Sequence, residues 1–315
     1  MPEAKRNRTG VFTLSLDCEG LWGMADQAHV LNRGVINGKS LRRAYTSVHS
    51  TLESNGVRAT AAFVSCFAAP RDAVREYLPL LEELGERNPE WFCNLLPILR
   101  RGDSESLDGW EGNDLWNEAA SRGHEIAWHG ATHMPLSDAT ASEAIELELR
   151  LASHLFKTLG RSPTSVVFPR NLIGHLIKLR SAGFSCYRER ASSGPLGRVG
   201  GLLREFNLFD RSVNAEPRRD GSWAVSPAGF FLNWPSGIRS SVPVGVTVQR
   251  WRCLLRHAAL KGGYVHMWFH PHNLITAPAM QESFNSVMLE VGNLVRSGDL
   301  LSLTMAEAST YYGLN

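Results

Sequence analysis

Cysteine is scarce and scattered. The five cysteines, Cys18, Cys66, Cys93, Cys186 and Cys253, are odd in number and never form a CxxC pair. Such spacing offers neither a disulfide framework nor a thiolate zinc site, and a reducing cytoplasm is the expected compartment. Long hydrophobic runs are missing too. No stretch approaches the roughly 18 apolar residues of a membrane span, so none is expected. The opening "MPEAKRNRTG" leads into an apolar run too short for the core of a signal peptide. An excess of one charge is also absent: Lys and Arg total 33, Asp and Glu 31, a formal net charge of +2. That balance gives no footing for nucleic acid or an anionic membrane. The basic stretches "AKRNR" and "EPRRD" read as solvated surface, and no internal repeat is visible.

What is present is an ordinary globular composition, 43% hydrophobic and 20% charged over 315 residues. Apolar runs read as strands at 11–16, 58–65, 124–129, 165–169, 184–189, 264–271 and 300–304. Between them lie amphipathic helices near 39–55, 71–84, 114–123, 141–160, 173–183, 248–261 and 278–297, several with a glycine as the stop, Gly85 among them. Strands alternating with long helices predict parallel βαβ units. The expected fold is a single α/β domain over 1–315, an incomplete (β/α)7-type barrel with an irregular insertion near 191–247. That insertion, rich in Gly, Ser, Pro and Arg, is assigned to shaping the substrate cleft. In such barrels chemistry gathers at the carboxyl ends of the strands.

Four strand ends carry reactive residues. "SLDCEG" closes the first strand on Asp17 and Glu19, two apart and so able to share a face. Two carboxylates there repel unless a cation lies between them. "GHEIAWHGATH" places His129 and His133 four apart; if Gly130 turns the chain into a helix, both face one site. Two imidazoles and a carboxylate make the three-ligand set of a catalytic zinc-type centre. His124, at the far end of that strand, reads as structural. "VVFPRN" brings Arg170 to a strand end, where a guanidinium can clamp a carboxylate at two points. "HMWFHPHN" puts His270 nearest the mouth, where a histidine, a side chain whose unperturbed pKa lies near neutrality, can act as a general acid. His266 lies deeper and reads as a core or supporting histidine. His272 follows Pro271, which hides its direction, so either His270 or His272 can be the acid.

These motifs, with "GVRATAAFV" and "LLSLTMAEA", resemble the polysaccharide deacetylase superfamily, the fourth carbohydrate esterase family, across nearly the whole chain. The branch of bacterial surface-polysaccharide biosynthesis proteins, with a first motif Asp-x-Glu and a late His-Pro step, is the nearest in pattern. The resemblance implies an incomplete β/α barrel. It gives Asp17 the place of the catalytic base, Glu19, His129 and His133 those of the metal ligands, Arg170 that of the residue orienting the base, and His270 that of the acid. It departs from the family pattern at Glu19, where aspartate is usual, and at Gly130, where the hydroxyl of a Ser or Thr is usual and Thr132 is the nearest substitute. No match is found for the Asp-Trp pair that supports the acid histidine.

The activity implied is hydrolysis of an N-acyl group, acetyl first, from an acylamino sugar or its nucleotide- or lipid-linked conjugate. The implied cofactor is one divalent metal ion, with zinc the first candidate. Trp22, His272 and Asn273 are assigned to substrate binding, and Trp91, Phe92 and Trp110 are candidates for stacking on sugar faces or for the core. Two alternatives stand beside this reading. One is an amidohydrolase of the same fold acting on a formamide or cyclic amide, possible without metal. The other is a catalytically silent sugar-binding scaffold, against which the joint retention of base, ligands, arginine and acid argues.

Overall fold

Every residue of the strand Gly10–Cys18 (β1) is buried, the signature of a parallel strand covered on both faces. The computed structural model describes residues 8–27, 34–101, 107–190, 202, 205–207 and 213–314. The strands after β1 are Thr60–Phe63 (β2), Glu125–Trp128 (β3), Ser165–Val166 (β4), Cys186–Arg188 (β5), Arg218–Asp220 (β6), Trp223–Ser226 (β7), Phe230–Phe231 (β8), Tyr264–Phe269 (β9) and Leu300–Ser302 (β10). They form one sheet in the order β6-β7-β5-β4-β3-β2-β1-β9-β8, with β10 beside Gly10–Phe12 of β1. All pairings are parallel except the β6–β7 hairpin. Among the described residues no pairing joins β6 to β8, so the barrel is incomplete. The seven expected strands are β1 to β5, β9 and β10. The other three come from the stretch 191–247; its residues 191–201, 203–204 and 208–212 lie outside the described residues, as does most of "AKRNR".

Local signals set the helix ends. Helix Gly38–Ser54 opens on a reciprocal capping box, Asn37 accepting from the Ser40 N–H at 2.9 Å and Ser40 from the Asn37 N–H at 3.0 Å. Helices Ser142–Leu159 and Val244–Lys261 stop on Gly160 and Gly262, left-handed at φ 65 and 68. The single helix expected over 71–84 is two, Arg71–Glu76 and Leu78–Arg87. Pro79 accounts for the break, because it has no N–H to continue the ladder and suits a first turn. Gly85 is not a stop. It lies buried inside the second helix, where a Cβ would come within 2.5 Å of Leu96 Cδ1; the glycine serves close packing.

At the amino ends of the strands, away from the mouth, His49 and His124 stack at 5.0 Å with a 3.1 Å contact between His49 Nδ1 and His124 Nε2. His124 Nδ1 accepts from the Ala59 N–H, so His124 has the structural place expected. Burial lowers both pKa values to about 4. The unfolded chain takes up these protons near pH 6.5 and the folded pair only near 4, so stability falls as pH falls through that window. The expected loss is of order 2 kcal/mol per histidine. The urea midpoint should drop between pH 7 and 5, and His124→Gln should flatten the drop; a pH-independent midpoint would contradict it.

Candidate metal centre

Asp17, in the last turn of the β1 pleat, meets a guanidinium from the end of β5. Arg188 Nη1 donates to Asp17 Oδ1 at 2.7 Å and Nη2 to Oδ2 at 2.8 Å, a two-point pair buried on both sides. Nη1 also donates to Ser15 Oγ and Nη2 to Asn171 Oδ1, each at 2.9 Å, and the guanidinium lies 4.5 Å from the Trp268 ring centroid. Behind it, the Ser15 hydroxyl donates to His266 Nε2 at 2.9 Å, whose Nδ1–H in turn donates to the Pro227 carbonyl at 2.8 Å. Burial holds His266 neutral, its pKa about 3, so it is the supporting histidine expected. Burial would raise the Asp17 pKa, but the charge and hydrogen bonds of Arg188 prevail and lower it.

Glu19 follows β1 and turns toward the loop after β3. Its Oε2 lies 2.7 Å from His133 Nε2 and 3.3 Å from His129 Nε2, and one donor atom of each residue falls within 4.8 Å of the others. His129 Nδ1–H donates to the Val167 carbonyl at 2.7 Å, which orients the ring with Nε2, the nitrogen a metal would take, toward Glu19. Burial would lower the His129 pKa, but the hydrogen bond to Glu19 and the charges of Asp17 and Glu19 raise it. His133 Nδ1 has no partner among the described residues, and burial pushes this imidazole toward its neutral, metal-binding form. Two imidazole nitrogens and one carboxylate oxygen fit a zinc-class cation. The HxxxH pair is not on a helix. A loop carries it, with Gly130 at φ 80 and His133 at φ 65, and folds the rings to 4.8 Å apart. Glu19 needs room that only glycine leaves: a Cβ on Gly23 would lie 2.1 Å from its carboxyl. If this donor set holds a divalent ion, Gly23→Ala should therefore weaken its binding at least about tenfold; unchanged zinc affinity in a chelator competition would refute this.

The remaining histidines border the same carboxylates. His270 Nε2 lies 3.9 Å from Asp17 Oδ2 and 3.8 Å from Glu19 Oε1, and its side chain is 24% exposed. His272 Nδ1 lies 4.0 Å from Glu19 Oε1 and is buried, which lowers its pKa to about 4. Asn273 Nδ2 is 3.5 Å from His270 Nδ1.

The sequence matches no family model and no curated protein. Solved structures do match. A protein from Mycobacterium smegmatis described as a polysaccharide deacetylase is 17% identical over 98% of this chain and 92% of that one, with a TM-score of 0.61. Another so described, from Pseudomonas aeruginosa PAO1, is 11% identical over 96% and 89%, TM-score 0.55. Puue allantoinase is 11% identical over 96% and 89%, TM-score 0.51. This chain has the polysaccharide deacetylase fold. Within that fold, two expected placements need correction. Arg170 does not reach Asp17. It donates to Asp26 Oδ1 at 2.6 Å and covers the Trp91 ring at 4.9 Å. Arg170 and Asn171 are both left-handed, φ 56 and 54, and this turn sends Asn171 inward to Arg188 while Arg170 faces outward. Trp22 cannot stack on a sugar: it is 1% exposed, with Nε1 donating to the Trp110 carbonyl at 2.9 Å. Phe92 and Trp110 are core as well. Trp91 lies 5.7 Å from His133 and, with Asp26, Met134, Thr140 and Arg170, lines a cleft of about 450 Å³. Sequence reasoning missed Arg188, although a charged residue closing the apolar run "FSCYRE" is the same signal that marks "SLDCEG".

Proposed function

We propose that this protein is a metal-dependent hydrolase that removes an N-acyl group, acetyl first, from an acylamino sugar. The observation that carries the reading is the meeting of three chemistries at one mouth: a Glu19–His129–His133 donor set, an Asp17 carboxylate clamped by Arg188, and His270 within 4 Å of both carboxylates. A divalent ion held by Glu19, His129 and His133, zinc first among candidates, would supply Lewis-acid polarisation of the amide carbonyl and of water. Asp17, kept ionised by Arg188, takes the proton of the attacking water. His270 Nε2 gives a proton to the leaving amine, without which the amine is a very poor leaving group. The neutrality of buried His272 supports His270 as the acid; His272 and Asn273 then serve to hold substrate and acid. His266, Ser15 and Asn171 keep Arg188 in register.

The cleft beside His133 has room for a sugar ring, and Trp91 and the Asp26–Arg170 pair offer it an apolar edge and hydrogen bonds. The substrate class we favour is a nucleotide- or lipid-linked precursor of surface polysaccharide, met in the cytoplasm. Among the described residues no helix is long and apolar enough to cross a membrane. Similarity to Puue allantoinase keeps a second reading, hydrolysis of a cyclic amide. The test is acetate and formate release from N-acylated nucleotide sugars, with a cyclic amide alongside. Release lost to chelator and restored by zinc is expected. Chelator-insensitive cleavage of the cyclic amide alone would select the second reading, and sugar binding without any hydrolysis would leave a scaffold.

A further inference from the structure

Glu148, in the first half of the helix Ser142–Leu159, is a fully buried carboxyl whose pKa burial raises to about 7, and the chemistry above does not use it. Its carboxylate spans the loop between the two histidines of the donor set. Oε2 accepts from the Ala131 N–H at 2.7 Å and the Thr132 N–H at 3.3 Å, and Oε1 accepts from the Thr132 hydroxyl. The carbonyls of the same loop are held from the other side. Gly130 and Ala131 accept from the Ser65 and Cys66 N–H groups at 3.0 Å, and Thr132 from Trp91 Nε1 at 3.3 Å. This network ends on His133, whose left-handed backbone, φ 65, costs a non-glycine residue about 1–3 kcal/mol and persists only where its surroundings fix it.

We propose that Glu148 is a positioning residue for metal binding: by pinning Ala131 and Thr132 it keeps His133 left-handed, with Nε2 aimed at Glu19. Without it the loop can relax to negative φ, which swings the imidazole out of the donor set. Burying a carboxyl group is expensive, and the three donors that one loop presents to it explain what its two oxygens secure. Thr132 is the intermediary, receiving with its hydroxyl and its amide. This inference rests on the metal-centre reading.

The test uses the full chain, stripped of metal and titrated with zinc against a competing chelator and with cobalt(II) by visible absorption. Glu148→Leu, which removes both acceptor oxygens from the Ala131 and Thr132 groups, should lower zinc affinity about 10–100-fold and shift the cobalt bands. Thr132→Val, which loses one of the three donors, should show the same change to a smaller extent; it carries the comparison alone if Glu148→Leu does not fold. Folded variants with wild-type zinc affinity and the wild-type cobalt spectrum would overturn the inference. Failure of the wild-type protein to bind either metal would instead overturn the metal-centre reading, and the inference with it.

Discussion

Replacing Arg188 with methionine should destabilise the protein by about 3–5 kcal/mol at neutral pH, the cost of leaving a buried charge without its partner. The pair is buried on both sides, and Asp17 would keep its desolvation while losing both guanidinium bonds. The pH dependence gives the sharper signature. In the wild type the Asp17 pKa is lowered, so its contribution is present above the unfolded carboxylate pKa and is lost only as pH falls through the lower folded value. In Arg188→Met burial, the largest influence on Asp17, is opposed only by the charges of His129 and His270 and should raise that pKa. The folded state then holds a proton that the unfolded state releases, and stability falls as pH rises. The deficit relative to wild type should thus be larger at pH 8 than at pH 4.5. Urea denaturation at both values measures it, and a deficit that does not change with pH would show that Arg188 contributes packing only. Adding Asp17→Asn to Arg188→Met removes the unpaired charge and should recover part of the loss, which a double-mutant cycle reads directly. Arg188→Lys should not rescue, since one ammonium cannot serve Asp17, Ser15 and Asn171 in the same fork.

The strand–helix alternation was legible because parallel barrel strands are buried on both faces and read as unbroken apolar runs. The strands from 213–231 were not: β6 is fully exposed and β8 is two residues long, so neither has a period to detect. The pairing of a carboxylate with two histidines was also readable, since Glu19 and His129 each directly follow a buried strand. The loop that brings His133 in was not, because its path depends on Glu148, 16 residues further on, and on N–H groups of a different crossover. The choice between Arg170 and Arg188 shows the same limit. Both arginines stand at strand ends, and only the two successive left-handed residues after Pro169 decide which guanidinium turns inward. Asn and His adopt positive φ more readily than most residues, but Arg170 carries no such mark, and neither type fixes it in advance. Trp22 failed for a related reason: an aromatic beside a site motif can fill the core beneath it as readily as line the cleft above.

Asp17→Asn should keep the metal and lose turnover. Asp17 is outside the Glu19–His129–His133 group, so zinc affinity should stay near wild type, whereas His129→Ala and His133→Ala should lose metal and activity together. Removing a positioned general base lowers rate by about 10²–10⁴, and under the proposed mechanism the loss should fall on kcat with KM little changed, because there the carboxylate acts on the water and not on the substrate. The substitution leaves Arg188 buried against neutral acceptors, so the variant should also melt earlier, and rates must be compared below its transition. Zinc loss in Asp17→Asn would break the division of labour between the two acids. Wild-type turnover with zinc bound would remove Asp17 as the base.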